Sequence, residues 1–165
     1  MAALEQAILT WIHLVAAAIW VGGSLFIGIV FSPLLKTMSD SLQERMQIMI
    51  RVGRRFNKIA VPSLIILMAT GLYNSHMLLS KPDLLTATSY GSFLITKIVL
   101  VIALIITYVV HVRIIRKDVE EQIMSNRMSE DQIRTLRKKI IILGEVTVVI
   151  SIAILFFASL MDAGV

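Results

Sequence analysis

The chain has 165 residues, 57% of them hydrophobic, and a mean hydropathy of +0.84, where a soluble domain is about 45–50% apolar. The absence of cysteine excludes disulfides, thiolate metal sites and iron–sulfur clusters. The formal charge of +5 sits in basic residues that flank hydrophobic runs, where such residues set orientation and meet anionic lipid heads, so lipid rather than nucleic acid is the expected partner.

The apolar excess falls in four runs, Ala7–Leu35, Ile59–Leu79, Ser92–Ile115 and Ile140–Met161. Each is long enough for a hydrocarbon core of about 30 Å, which takes roughly 20 helical residues. They lack the apolar–polar alternation of barrel strands. The expected fold is therefore all-α and integral to the membrane: one domain over residues 1–165, built as a four-transmembrane-helix bundle.

Helix one carries His13, Ala16, Ala17, Trp20 and Ser24 along one stripe, with Gly22 and Gly23 beside it. It has no basic region ahead of it and is too long for a signal-peptide core, so it is expected to be retained as a span. Pro33 is expected to end or kink it. Loop one, residues 36–58, holds Lys36, Arg45, Arg51, Arg54, Arg55 and Lys58. Ser41 and Glu44 have capping-box spacing, and Leu42, Met46, Met49 and Phe56 follow at helical intervals. This segment is expected to be partly helical, either on the membrane surface or as an extension of helix two. Arg54 and Arg55 are read as orientation determinants and lipid contacts.

Helix two places Ala69, Tyr73 and His76 on one side, near Gly71, and the loop after it has only Lys81 as a basic residue. Helix three carries Lys97, Leu104 and His111 seven residues apart on nearly one face. At about 1.5 Å per residue, Lys97 and His111 are roughly 21 Å apart, too far for one small site. The third connection holds Arg116, Lys117, Arg127, Arg134, Arg137, Lys138 and Lys139. Val112, Ile115, Val119 and Ile123 continue the stripe of helix three, Asn126 and Ser129 mark a turn, and Ser129 with Gln132 repeats the capping-box spacing. A helical hairpin projecting beyond the membrane is expected there. Helix four carries Glu145.

Loops one and three are thus the basic ones. The positive-inside rule puts them in the cytoplasm and both termini on the outer side. His13, His76 and Lys97 then share an outer depth zone, while His111 and Glu145 share an inner one, where an ion pair or hydrogen bond between them is expected. An ionisable residue within a span is a functional-site candidate by default, and histidine is the commonest neutral ligand of metals and haem iron.

The stretch Arg54-Arg55-Phe56, Ala60, Thr70-Gly71-Leu72-Tyr73-Asn74 resembles the copper-resistance-D (CopD) membrane domain, as do Asp83-Leu84-Leu85, Tyr90-Gly91, Leu94 and Lys97. The opening Trp11, His13, Ala16, Ala17, Trp20, Gly22 and Gly23 resembles the first helix shared by CopD-like proteins and HemJ-type protoporphyrinogen oxidases. The HemJ-like pattern of a helix-one histidine and a helix-three lysine is matched by His13 and Lys97. The resemblance implies a helical membrane protein linked to copper handling or to haem.

Three functions remain in play. The first is a redox or electron-transfer protein holding haem b near the outer face between His13 and His76. Trp20 and Tyr73 would line its pocket, Lys97 would pair with a propionate, and a quinone or another redox protein would be its partner. The second is a copper-binding or copper-uptake protein, with His13, His76 and Met77 as an outer site and His111 with Glu145 as an inner one. The third is an accessory subunit of a larger membrane complex or a homo-oligomer. No nucleophile–base pair or phosphate loop stands out, so catalysis is left open.

Overall fold

Each long apolar run becomes a helix because its backbone can satisfy its own hydrogen bonds in lipid. The computed structural model describes residues 2–80, 82–125 and 127–164, apart from the side chains of 2, 77–79, 82 and 84. Lys81, Asn126 and the Met77 side chain lie outside the described residues. The elements are α1 (Ala2–Leu25), a π-helical segment (Phe26–Phe31), α2 (Ser32–Met38), α3 (Leu42–Leu79), α4 (Pro82–Ala87), α5 (Ser89–Ile114), α6 (Lys117–Met124) and α7 (Glu130–Asp162). Among the described residues, four helical rods have the length and composition to cross a membrane. α1 packs along α3 and α5 along α7, giving two antiparallel hairpins joined through α7.

Pro33 does not end the first rod. It occupies the first turn of α2, directly after the π-helical segment, and the helix runs on to Met38. A proline removes one i→i−4 bond, and the wider π turn accommodates the mismatch. Loop one turns out to be the first half of α3, a single helix of 38 residues. Of the two expectations for that segment, extension of helix two is the one observed. Ser41 Oγ accepts from the Glu44 amide at 3.3 Å, while the Glu44 carboxylate takes the Ser39 hydroxyl at 2.6 Å instead of closing the box on Ser41.

The third connection forms the expected helical hairpin, and it packs on the first half of α3. α5 stops at Ile114, and Arg116 is extended before α6 begins. Met46, Ile50, Ile115, Ile123, Ile133 and Ile140 then close a core between the first half of α3 and the hairpin. α7 starts on a complete capping box, Ser129 Oγ accepting from the Gln132 amide at 3.3 Å and Gln132 Oε1 from the Ser129 amide at 2.9 Å. Arg54 and Arg51 both reach Glu120, which is 6% exposed. Arg54 is therefore an ion-pair partner of the hairpin, a long-range contact that loop charge alone does not reveal.

Within the bundle a second core joins Trp20, Ala60, Leu64 and Leu104, with Phe56 and Tyr108 against it. Gly23 lets α1 approach α3 there, since a Cβ at this position would overlap the Phe56 ring. Gly23→Ala is expected to cost about 1–3 kcal/mol by overpacking, and Phe56→Leu in the same chain to recover most of it. Thermal unfolding in detergent would check both.

Candidate functional site

His13 lies half-buried on α1 and faces α3. Its Nδ1 is 2.6 Å from Thr70 Oγ1, and its ring comes down on Gly71, where a Cβ would stand 3.7 Å from Cε1. Thr70 Oγ1 donates its own proton to the Ile66 carbonyl at 2.6 Å. The hydroxyl can therefore only accept from the imidazole, which assigns the proton to Nδ1 and leaves the lone pair on Nε2. Lys97, half-buried on α5, is within electrostatic range of His13. Nearer the termini, Gln6 Nε2 donates to Asn74 Oδ1 at 3.2 Å, extending the α1–α3 ladder.

His76 belongs to a different place. It is exposed, donates from Nδ1 to the Tyr73 carbonyl of its own helix at 2.5 Å, and lies 5.5 Å from the Tyr73 ring. Six residues separate it from Thr70, about 9 Å along α3 and about 120° around it. The outer cluster thus resolves into His13 with Lys97, and His76 with Tyr73. Tyr73 is 52% exposed and so does not wall a buried pocket with His13. Trp20 sits two turns along α1 from His13, in the bundle core. Its Nε1 donates to Ser151 Oγ at 3.0 Å, and its ring meets Tyr108 edge-on at 4.9 Å. Two axial ligands must approach one iron at one level from opposite sides. His13 and His76 do not do so, and the residues present do not fit a bis-histidine haem.

At the other end of the bundle, near the hairpin, lies a cavity of about 310 Å³. His111, Glu145, Tyr108, Asn57, Trp20 and Ser24 supply its polar edges, and the remaining walls are mainly apolar. His111 packs on Gly144, where a Cβ would be 3.8 Å from Cε1. Its Nδ1 is sealed from water without a hydrogen-bond partner among the described residues, an arrangement that costs about 1–3 kcal/mol if nothing meets it. The expected His111–Glu145 bond is not formed among the described residues. The two line one cavity, but Glu145 is an exposed side chain and the imidazole turns its edge to Gly144. Tyr108 donates its hydroxyl to Asn57 Oδ1 at 3.0 Å. Among the described residues no three His, Asp or Glu side chains gather closely enough to hold a metal ion.

In the sequence Thr70 stands out only as part of the family-like stretch Thr70-Gly71-Leu72-Tyr73-Asn74. The signal that points to it as a partner is its spacing from Ser63, seven residues earlier. Both are small hydroxyl side chains buried on α3, where they face the neighbouring helices of the bundle.

The family model for copper resistance protein D matches residues 50–161. An uncharacterized protein of Aquifex aeolicus (strain VF5) is 39% identical over 69 residues, which cover 41% of this chain and 46% of that relative. The chain thus matches less than half the length of this curated relative. No solved structure matches. With four membrane-crossing rods and a family match that runs from the first half of α3 nearly to the end of α7, the chain belongs to the copper resistance protein D family of membrane proteins.

Proposed function

We propose that this protein handles copper within the membrane, taking the ion as cargo on the Nε2 of His13. The observation that carries the reading is the hydrogen bond from His13 Nδ1 to a threonine oxygen whose own proton is already committed. A neutral imidazole held this way presents the other nitrogen as a ligand, the arrangement typical of metal-binding histidines. His76 presents Nε2 for the same reason, because the Tyr73 carbonyl can only accept. The two rings are offset along α3 and serve as successive holding points, His76 at the exposed end and His13 inside. Imidazole suits copper, and the family name supports the choice of ion. His111 and Glu145 take no part.

Lys97 gives the reading its direction. An ammonium near His13 opposes a cation, so the hold is loose, as suits cargo that must leave again. Lys97→Met is expected to tighten copper binding by roughly tenfold, the scale of one like-charge repulsion at the effective dielectric of a protein surface. If Lys97 instead served a haem propionate or another anion, the same change would weaken ligand binding.

The test uses the full chain in lipid nanodiscs, with cuprous ion titrated against a chromophoric chelator. Binding is expected, and its loss in His13→Gln. No copper binding, or binding that is the same in His13→Gln, overturns the reading. A Soret band that shifts in His13→Gln would put haem in copper's place.

A further inference from the structure

We propose that the crevice between α3 and α5, on the outer surface of the bundle, seats an anionic phospholipid with its phosphate between Lys58 and Arg113. The two helices are antiparallel and make few direct contacts. Tyr108 bonds to Asn57 across them at 3.0 Å and fixes their register. Lys58 follows Asn57 on α3, about 100° around the helix. Arg113 lies five residues beyond Tyr108 on α5, about 140° around and about 7.5 Å nearer the hairpin. Both residues are exposed. They stand on the same side of the crevice: Arg54, one turn before Lys58, holds Glu120 of α6, and α6 continues from α5 just past Arg113. Helical side chains lean toward the N-terminus of their own helix. Lys58 therefore leans toward the hairpin and Arg113 away from it, and the two cations converge on one level.

Neither cation makes an ion pair among the described residues, whereas Arg51 and Arg54 are engaged with Glu120. Arg116 and Lys117 are exposed at the same corner and are likewise without an ion pair among the described residues. Asp118 and Glu121 offset two of these four charges, and the corner stays cationic. From this level toward the termini the crevice turns apolar. Val61 and Val109 follow the cations, and beyond them Ile65 and Ile102 are 61% and 52% exposed. A ligand that fits both parts has an anion at one end and hydrocarbon at the other. Basic pockets between membrane helices take anionic lipid headgroups in this way. A zwitterionic headgroup would bring an ammonium of its own into a corner that repels it. Lys138 and Lys139 of α7 are exposed as well, but α5 packs closely along α7 and leaves no such crevice there.

The test is native mass spectrometry of the full chain, delipidated in detergent and titrated with dioleoylphosphatidylglycerol or dioleoylphosphatidylcholine. The first phosphatidylglycerol is expected to bind more than about tenfold tighter than phosphatidylcholine, at about fivefold per engaged cation. Lys58→Gln is expected to weaken phosphatidylglycerol binding by about fivefold, and Lys58→Gln with Arg113→Gln by about twentyfold. Lys138→Gln with Lys139→Gln, which removes the same charge from α7, is expected to leave it unchanged. If circular dichroism shows that the Lys58, Arg113 double variant has not folded, Lys58→Gln alone carries the comparison. Equal binding of the two lipids overturns the proposal. So does an equal loss in the α7 variant, which would make the attraction one of diffuse surface charge. Displacement of phosphatidylglycerol by glycerol phosphate at equal concentration also overturns it, because the apolar crevice would then play no part.

Discussion

Arg54→Ala is expected to undock the α6–α7 hairpin from α3 at a cost of about 3 kcal/mol. Glu120 is 6% exposed and stands in the first turn of α6, where the helix dipole favours a carboxylate. Its partners are Arg54, 29% exposed, and Arg51, 57% exposed at 3.5 Å. Without Arg54, a nearly buried carboxylate keeps only the more solvated and more distant guanidinium, and the loss is mainly the penalty of an under-compensated buried charge. The more exposed Arg54 end and the surviving Arg51 keep the cost near the lower end of the range for broken buried pairs. The readout is backbone hydrogen exchange over Lys117–Met124 in nanodiscs. The hairpin core of Met46, Ile50, Ile123 and Ile133 is closed by this contact, so the α6 amides should exchange roughly a hundredfold faster, 3 kcal/mol being about two decades in an opening constant. The double variant Arg54→Met, Glu120→Met should recover most of the protection, because apolar side chains of similar size remove the desolvation penalty along with the pair. Unchanged α6 exchange in Arg54→Ala would mean the ion pair does not hold the hairpin.

The four spans were legible because twenty consecutive apolar residues are a signal of local composition, and the Ser129–Gln132 cap because it spans three residues. What escaped depends on which face of which helix meets which neighbour. Counting residues from the membrane edge put His13 and His76 in one zone, and both do lie toward the terminal end of the bundle. Depth read this way is good to about one helical turn and carries no azimuth. His76 is about 120° around α3 from Thr70, the residue that actually receives His13. Trp20 shares the His13 stripe on α1, yet two turns of separation give it to the cavity at the hairpin end. His111 and Glu145 line one cavity, but no bond joins them among the described residues: the imidazole packs on Gly144 and Glu145 is exposed. Arg54 looked like a loop charge because its partner is 66 positions away, a separation that no spacing rule reads. The π-helical segment was anticipated only as a Pro33 kink. A proline shows that one hydrogen bond is missing, not whether the chain then bends, stops or widens.

Thr70→Val is expected to lower copper affinity by about 10–100-fold while leaving the ligand itself in place. Valine keeps the shape of threonine and removes the oxygen. His13 Nδ1–H then has no acceptor at 2.6 Å, and in an apolar helix interface that orphan costs about 1–3 kcal/mol. The imidazole recovers part of this by moving its proton to Nε2 or by turning away from Gly71. Either response withdraws the lone pair that the proposed site uses. Thr70→Ser should keep near-normal affinity, because a serine hydroxyl has the same access to the Ile66 carbonyl and the same free lone pair for His13. The pair of variants separates the tautomer argument from packing: serine loses the methyl and keeps the hydrogen bond, whereas valine does the reverse. If affinity follows the methyl group, with Ser weak and Val normal, His13 is a packed polar side chain and not a prepared ligand. If it follows the oxygen, the buried threonine is what turns a histidine inside a membrane helix into a metal-binding group. The nitrogen-15 shifts of the His13 ring, which distinguish an Nδ1–H from an Nε2–H imidazole without any metal present, should change sides in Thr70→Val and not in Thr70→Ser.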